Sequence, residues 1–212
     1  MTAVLPELPA NFAAALKLID DAHADDPKTV PGVADGSSNN NAAVPNELHY
    51  ARKMTRWLAV RCPDASPTLQ LACRAQHFRR WEIPRDSFPM TRAGYLTWRA
   101  KQKTQAAEKI KALLSSLSPP LPTEAIDRVA ALVRKENLAA DAETQVLEDV
   151  ACLVFLDDQL DDFEKRDDVD EDKMLDILRK SWAKMSPRGR EIALDMRLSE
   201  RGKTLVGKAL AG

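Results

Sequence analysis

The feature that most constrains the fold is the spacing of apolar residues, which recur every three or four positions along most of this 212-residue chain. Phe12, Leu16 and Ile19 follow this spacing and predict one buried face on a helix from Pro9 to His23. No long run alternates apolar with polar residues, and no Asn-Gly hairpin turn is present, so an extensive sheet is not expected. The chain also has only seven glycines, which weaken helices. The pattern predicts an all-α fold.

Residues that favour helix N-termini indicate where the later helices begin. Ser66 followed by Pro67 gives the N-cap and first-turn pair of a third helix, and Asn46, Thr91 and Thr123 are predicted as N-caps. The periodic segments predict helices over residues 46–61, from 66 onwards, and over 91–117, 123–137, 141–162, 174–184, 186–196 and 199–210. Residues 28–44 are polar and turn-forming, which predicts a flexible insertion. We expect one helical domain over residues 1–212.

Cysteine usage and hydropathy bear on the compartment. The three cysteines, Cys62, Cys73 and Cys152, are an odd number without metal-site spacing, which favours a reducing environment. No run approaches the roughly eighteen apolar residues of a membrane span, and the N-terminus lacks the basic-then-apolar order of a signal peptide. We therefore expect a cytoplasmic protein, with the nucleus as a second location and no membrane partner.

The net charge is only −1, but the charges are unevenly distributed along the chain. Residues 51–103 contain twelve Lys or Arg against three Asp or Glu, together with three tryptophans. Residues 157–172 contain two Lys or Arg against ten Asp or Glu and form an acidic segment within the domain. A basic half of this kind indicates a small anionic or phosphorylated ligand, with nucleic acid as a further possible partner.

Four polar residues lie on successive predicted helices or at their ends: His49, His77, Glu136 and Asp149. Imidazole nitrogens and carboxylate oxygens suit divalent transition metals, so His49, His77 and Asp149 are predicted to hold one divalent metal ion. Such an ion lowers the pKa of a bound water and orients a phosphate, which is hydrolytic chemistry. Glu136 is then predicted to be an extra ligand or the general base.

Arginine and aromatic residues around His77 are predicted to bind the anion, because guanidinium groups offer paired donors to phosphate or carboxylate oxygens. Arg80 is predicted to be catalytic together with Glu136. The residues predicted to bind substrate are Arg52, Gln76, Arg79, Arg85, Tyr95, Trp98 and Lys135. Structural roles remain open as alternatives: Asp149 would pair with a nearby arginine, Glu136 would form an ordinary salt bridge at a helix end, and the tryptophans would lie in the core.

Two family resemblances extend this interpretation. An early His, a second His at a helix end and a late Asp on a buried helix resemble the HD-domain superfamily of metal-dependent phosphohydrolases. That family has a His-Asp doublet where this chain reads Gln76-His77 and then Phe78, without Asp. The segments ELHYARKMTRWL, AQHFRRWEIPRDSFPMTRAGYLTWR, LVRKEN and LEDVACLVFL more closely resemble the domain-of-unknown-function 4202 family, over about Phe12 to Met185. The first resemblance implies an HD-domain-like helical bundle with extra N- and C-terminal helices; the second implies no activity.

Several functions follow as hypotheses. The first is an HD-like metal-dependent hydrolase acting on a small phosphorylated or anionic substrate, for example a nucleotide. A variant of it has no metal, and His77 and Glu136 act on an anion held by arginines. The alternative is a non-catalytic RNA- or nucleotide-binding module that uses the basic, Trp-containing half, and a third is an interaction protein that uses the acidic segment. A pocket requires basic side chains that converge on a concave site with His77, whereas an RNA binder requires them on an open face.

Overall fold

The computed structural model of the protein describes residues 3–31, 43–160 and 170–211. These residues are mainly helical, so the predicted all-α class is confirmed. The helices are α1 Ala10–His23, α2 Asn46–Arg61, α3 Pro67–Arg74, α4 Arg92–Ser115, α5 Thr123–Arg134, α6 Ala142–Val154, α7 Glu171–Lys184, α8 Pro187–Leu194 and α9 Glu200–Ala211. No helix in the described part of the chain is long and apolar enough to cross a membrane.

One short strand pair interrupts the helical pattern. β1 (Thr29–Val30) pairs antiparallel with β2 (Val44–Pro45), at the two ends of the segment predicted to be a flexible insertion. Residues 32–42 of that segment lie outside the described residues, so the prediction of flexibility stays a prediction. The backbone N–H of Asn46 donates to the carbonyl oxygen of Lys28 at 2.8 Å, which joins the start of α2 to the strand pair.

Several helix N-termini are capped by the residues that the sequence indicates. The Ser66 side chain accepts the N–H of Leu69, and Thr91 accepts the N–H of Gly94, each at 3.1 Å. A cap of this kind contributes about 1 kcal/mol to helix stability. Asn46 and Thr123 are instead the first helical residues, because a proline precedes each of them and occupies the N-cap position. The prediction of these two residues as side-chain caps was therefore wrong.

The core is formed where α3 packs against α2 and α5, and where all three helices contact α6. The predicted inward face of α5, including Val129 and Val133, is buried, as is the face of α6 that carries Leu147, Val150 and Val154. α4 packs along α5, α8 packs on α6, and α7 contacts both α6 and α9. Deleting a fully buried leucine such as Leu147 would cost about 2–5 kcal/mol, since the cavity would collapse only in part.

The helix predicted over 141–162 is helical from Ala142 to Leu160, but it changes type on the way. α6 stops at Val154, and the chain continues as a π-helical turn, Phe155–Gln159, that carries the first two acidic residues of the acidic segment. Residues 161–169 of that segment lie outside the described residues. Short π-helical turns of this kind are frequent near functional sites in proteins.

Two connections between helices contain all the non-glycine residues with positive φ in the described part of the chain. After α3, the chain passes through residues 75–80, which we call the arginine turn; His77 has φ 67° and Arg79 has φ 51°. After α5, Lys135 has φ 59° and Asn137 has φ 53°. Left-handed backbone costs a non-glycine residue about 1 kcal/mol or more and is concentrated at functional sites. These two connections meet α4 at one place, where a pocket lies.

Candidate functional site: a basic pocket

A small pocket lies between the arginine turn, α4 and the end of α5. Four of its side chains are positively charged and two are amides, and no acidic side chain of the described chain lines it. Its cavity volume is about 20 Å³, where a single water molecule needs roughly 10–15 Å³. The lining residues are Gln76, His77, Arg80, Arg99, Gln102, Lys103, Ala106, Val133 and Lys135. The cavity therefore has room for little more than one water molecule.

Only one of the four cations has a carboxylate partner in the described residues. Lys135 pairs with Glu148, and both side chains are largely buried, with 6% and 9% exposure. The side chains of Arg99 and Lys103 make no hydrogen bond or ion pair within the described chain, and the Arg80 guanidinium contacts no carboxylate there. Buried or half-buried charges are normally paired, because burial without a partner costs several kcal/mol. Three unpaired cations at one concave place leave an excess of positive charge.

The pKa shifts of the lining groups reflect this excess. Burial lowers the pKa of Lys103 below its usual value, and the nearby charges of Lys135 and Arg99 lower it further. Burial and the charge of Arg99 likewise lower the pKa of Arg80. For His77 the pKa lies well below 6.5, first because of burial and then because of Arg80 and Arg99. His77 is thus neutral at pH 7, and a bound anion would oppose every one of these charge effects.

Two amide side chains complete the lining. The Nε2 group of Gln102 donates to the backbone oxygens of Arg80 at 3.0 Å and Ile83 at 2.7 Å, which ties α4 to the residues after the arginine turn. The Oε1 atom of Gln76 is buried and has no hydrogen-bond partner in the part of the chain that the structure describes. Amide oxygen and nitrogen positions are assigned from the network around them, so a ligand that accepts hydrogen bonds would select the flipped amide. Gln76 is a polar group of the pocket that still lacks a partner.

Ring contacts fix the position of the arginine turn in the pocket. The His77 ring stacks on Tyr50 of α2, with centroids 4.5 Å apart and an interplanar angle of 19°. The Arg80 guanidinium lies 4.8 Å from the centre of the Trp98 ring and 3.0 Å from His77 Nε2. A guanidinium can only donate, so His77 Nε2 accepts this hydrogen bond, as the neutral imidazole allows. Trp98 and Tyr50 are buried walls that hold the two polar groups.

The structure brings four of the residues predicted for ligand contact or catalysis into this pocket: Gln76, His77, Arg80 and Lys135. Trp98 lies beneath the Arg80 guanidinium but is not among the residues that line the pocket, so its predicted contact with substrate stays a prediction. It also donates its indole N–H to the carbonyl oxygen of Ile83 at 2.9 Å.

Other predicted ligand-binding residues lie elsewhere or have other partners. Arg79 pairs with Asp25 at 2.6 Å, and Arg85 donates to the carbonyl oxygens of residues 88 and 89. Tyr95 is 45% exposed and lies under the Arg85 guanidinium, and Arg52 is exposed on α2. None of these four side chains lines the pocket. Their role in ligand contact stays a prediction.

The three residues predicted to bind metal lie in different surroundings. His49 Nε2 hydrogen-bonds Asp158 at 2.8 Å, whereas His77 faces the positively charged Arg80. Asp149 is fully buried and accepts hydrogen bonds from Arg61 at 2.7 Å and from the hydroxyl of Ser186 at 2.5 Å. In the part of the chain that the structure describes, no three His, Cys, Asp or Glu side chains are grouped to hold a metal ion.

The predicted general base also has an ordinary partner. Glu136 is about half exposed and pairs with Arg134 at 2.6 Å, at the end of α5, and it does not line the pocket. The carboxylate nearest to the pocket's cations is instead Glu148 of α6, which pairs with Lys135 and lies 3.8 Å from Lys184. The pairing of Glu136 with Arg134 is the structural alternative that the sequence leaves open.

Sequence reasoning missed Arg99, Gln102 and Lys103, which supply one wall of the pocket. Their spacing was a usable signal: positions 95, 99, 102 and 106 are three or four residues apart, and Lys103 follows Gln102, so all five lie along one face of α4. The face mixes charge, amide and aromatic side chains, so its apolar periodicity is weak. Such a helix face is easily mistaken for a solvated surface.

Sequence reasoning also missed His23 and Glu47, which lie behind the arginine turn. The Glu47 carboxylate accepts the backbone N–H of Arg79 at 2.9 Å and that of Arg80 at 2.5 Å. His23 Nδ1 contacts the same carboxylate at 2.8 Å, and His23 Nε2 contacts the carbonyl oxygen of Arg74 at 2.9 Å. These contacts join residues far apart in sequence, and no local pattern announces them.

Comparison with known proteins gives one finding. Residues 13–206 match one family model, described as a domain of unknown function (DUF4202). No curated protein and no solved structure matches the chain. The match covers most of the chain, including every residue that lines the pocket.

Proposed function

Since the chain belongs to the DUF4202 family, whose description carries no activity, we propose a function from the pocket itself: the protein binds the phosphate group of a small phosphorylated molecule. The observation that carries the proposal is the group of three unpaired cations, Arg80, Arg99 and Lys103, around one small cavity. Phosphate oxygens accept charge-assisted hydrogen bonds from such groups, which are about twice as strong as neutral ones. A dianion would also supply the negative charge that the described protein does not.

The arrangement of the basic side chains supports a small ligand over a nucleic acid. A nucleic-acid surface spreads phosphate contacts along an open face, whereas here three cations without a carboxylate partner in the described chain, Arg80, Arg99 and Lys103, converge on one cavity with His77. Arg79 and Arg61, two further arginines of the basic half, are already paired with carboxylates. The cavity of about 20 Å³ is close to the size of one water molecule, so a phosphate oxygen would enter it and the rest of the ligand would lie outside it.

Hydrolysis and metal binding, which the HD-domain resemblance implies, stay predictions beyond this proposal. The side chains predicted as ligands do not form a set in the described residues: both Asp149 oxygens are taken up by hydrogen bonds, and the Arg80 charge beside His77 would repel a cation. Release of phosphate from small phosphate esters, with and without added Mg²⁺ or Mn²⁺, would test hydrolysis. Elemental analysis of protein purified without chelator would test metal binding.

The expected compartment also remains part of the proposal. Cys62, Cys73 and Cys152 are all free thiols, as expected for a reducing environment. We therefore propose a cytoplasmic or nuclear protein.

The proposal is tested by isothermal titration with inorganic phosphate at mildly alkaline pH, using wild-type protein and two variants of α4. Arg99→Gln removes a pocket cation, whereas Arg92→Gln makes the same charge change on an exposed residue of the same helix that has no ion pair in the described chain. Loss of a hydrogen bond to a charged group costs about 1.5–3 kcal/mol. Arg99→Gln should therefore weaken phosphate binding at least about tenfold, and Arg92→Gln less than about twofold.

Two outcomes would contradict the proposal. Absence of phosphate binding by the wild-type protein would reject the pocket as an anion site. Equal weakening by both variants would show that general positive charge, and not this pocket, attracts the ion. If a single-stranded RNA then bound with steep salt dependence, and Arg92→Gln weakened it, the nucleic-acid alternative would replace the proposal.

A further inference from the structure

The Glu47 carboxylate lies directly behind the pocket without lining it. It belongs to the first turn of α2, is only 4% exposed, and accepts the backbone N–H groups of Arg79 and Arg80 on its two oxygens. A buried carboxylate is costly unless hydrogen bonds replace its water. Burial raises the pKa of Glu47 above its usual value in spite of these hydrogen bonds and of the nearby His23. The charge at this position thus reduces stability, so a purely stabilising role explains it poorly.

His23 fixes the carboxylate from the other side. The His23 ring is fully buried, and its two nitrogens face the carbonyl oxygen of Arg74 and the Glu47 carboxylate. A carbonyl oxygen only accepts, so His23 Nε2 carries a proton and the ring cannot rotate without losing that bond. The edge of the ring also packs on Phe78, at a centroid distance of 5.3 Å. Glu47 is therefore held in one orientation.

The two backbone hydrogen bonds act where the arginine turn is strained. Arg79 has φ 51°, a left-handed conformation that few arginines adopt, and its N–H donates to Glu47 Oε2. The next residue, Arg80, donates its N–H to Glu47 Oε1 and extends its side chain into the pocket. Strained backbone persists only where its surroundings determine it. Here the carboxylate determines the backbone position from which the Arg80 guanidinium reaches His77.

We propose that Glu47, oriented by His23, is a positioning residue of the anion pocket: it holds the arginine turn in the conformation that presents Arg80 to the ligand. This inference rests on the proposed function. It assigns control of anion affinity to a negative charge that does not touch the anion.

The sign of the effect separates positioning from electrostatics. Glu47→Gln removes a negative charge close to an anion site, which on its own would strengthen anion binding. The amide has only one oxygen, so an NH₂ group would face the N–H of either Arg79 or Arg80, and the turn would lose one of its two hydrogen bonds. Positioning therefore predicts weaker binding where electrostatics predicts stronger binding.

The test is phosphate titration of Glu47→Gln beside Asp26→Asn. Asp26 is a matched control, because it is 5% exposed and also accepts two backbone N–H groups, those of Lys28 and Glu47, but none from the arginine turn. We expect Glu47→Gln to bind phosphate about tenfold more weakly than the wild type, since the amide accepts only one of the two N–H groups of the turn and faces the other with its own N–H. Asp26→Asn leaves both hydrogen bonds from the arginine turn to the Glu47 carboxylate in place, so phosphate binding should stay within about twofold of the wild type. Unchanged or stronger binding by Glu47→Gln, or equal weakening by Asp26→Asn, would overturn the inference.

A second measurement decides the inference even if phosphate does not bind. Backbone amide signals report directly on the two hydrogen bonds, through the proton shifts and hydrogen exchange of Arg79 and Arg80. In Glu47→Gln at least one of these amides should move upfield and exchange at least about tenfold faster, while amides of α5 keep their protection. If both amides of the turn keep wild-type shifts and protection, Glu47 does not position the turn. Failure of the wild type to bind phosphate would instead reject the proposed function alone.

Discussion

The buried charge of Asp149 is fully hydrogen-bonded, whereas most of the charge in the basic pocket has no carboxylate partner among the described residues. Asp149 is fully buried between α2, α6 and α8, and its two oxygens accept hydrogen bonds from Arg61, Gln145 and both the N–H and the hydroxyl of Ser186. We call these four residues the Asp149 network. In the pocket, by contrast, the Arg99 and Lys103 side chains have no partner among the described residues, and the Arg80 guanidinium contacts no carboxylate there. The described residues thus balance the buried charge around Asp149 and leave an excess of positive charge in the pocket.

This difference separates polar residues that hold the fold from polar residues that the described part of the chain leaves without a partner. The Asp149 network caps α8 through Ser186 and joins it to α2 and α6. Its contribution to stability is enough to account for these residues. The pocket places like charges together and left-handed residues around them, both of which cost stability. Features that oppose folding are the better indicators of function, because something other than folding must maintain them.

The largest expected effect is a loss of stability on changing the Asp149 network. Asp149→Asn would leave Arg61 without its negative partner inside the helix packing, and breaking a buried pair costs about 3–5 kcal/mol. We expect a loss of about 3 kcal/mol, the lower end, because the Arg61 side chain is 15% exposed. Urea unfolding of the variant and the wild type measures it. A loss below about 1 kcal/mol would contradict the structural role of this carboxylate.

A glycine provides an independent check on the same network. A Cβ atom at Gly189 would lie 2.7 Å from the Asp149 carboxylate, so Gly189→Ala should destabilise the protein by about 1–3 kcal/mol. In an Asp149→Ala background the clash is absent, and the same substitution should cost much less. Strict additivity of the two changes in unfolding free energy would show that the contact is not formed.

The next effect concerns the basic pocket, where His77 should make the free energy of unfolding depend on pH. Its pKa in the folded protein lies well below 6.5, so the unfolded chain takes up a proton that the folded state does not accept. The free energy of unfolding should therefore fall as pH decreases below 6.5, by at most about 1.4 kcal/mol per pH unit for this one proton. His77→Phe keeps a ring for the stack on Tyr50 and removes the titration.

Urea unfolding at several pH values measures the difference in slope between wild type and His77→Phe. Sulfate, which stays dianionic throughout this range, should reduce the slope of the wild type only, because a bound anion favours the protonated imidazole. Parallel curves for the two proteins would contradict the shifted pKa. A slope that sulfate leaves unchanged would instead show that the anion does not reach His77.

The fold was predictable because its signals are local. The apolar spacing of α1, α5 and α6 and the caps at Ser66 and Thr91 depend on residues within a few positions of one another. The errors are local too: Asn46 and Thr123 follow prolines that take the N-cap position. The end of α6 in a π-helical turn was not predictable, because neither apolar spacing nor capping residues announce it.

The site was only partly predictable, because pairing is decided by tertiary contacts. In sequence, Asp149 and Lys103 look alike, as charged residues at the margin of a helix face. The first meets Arg61, 88 positions away, and the second meets no carboxylate in the described chain. The stretch from Gln76 to Arg80 was identifiable by its composition, but nothing in it revealed that Glu47 holds its backbone.

A smaller effect is expected from Lys103, and its sign is unusual. Lys103→Gln removes an unpaired, half-buried cation whose pKa is lowered by burial and by nearby positive charges, so the protein without ligand should become slightly more stable. Solvent screening limits the gain to less than about 1 kcal/mol. Thermal unfolding with and without phosphate should show this gain together with a smaller stabilisation by phosphate. The control is Lys101→Gln on the exposed side of α4. The Lys101 ammonium lies 5.9 Å from the centre of the Phe88 ring, so its removal should not stabilise the protein and should leave the stabilisation by phosphate unchanged. Identical behaviour of the two variants would remove the distinction between pocket and surface.

The smallest effect tests whether His49 stabilises the fold by pairing with Asp158, as the Asp149 network stabilises it. Burial would raise the pKa of Asp158, but hydrogen bonds and charge from His49 and Lys53 lower it below its usual value. The pair thus contributes stability above the ordinary pKa of aspartate and loses it as pH falls through the lowered value. His49→Gln should cost about 0.5–1 kcal/mol at neutral pH, the size expected for a partly exposed pair, and almost nothing in acid. Urea unfolding at both pH values measures this contribution, and elemental analysis of the same samples tests the predicted role of His49 as a metal ligand. A metal that the wild type carries and His49→Gln loses would show that His49 is a ligand and not only a partner of Asp158.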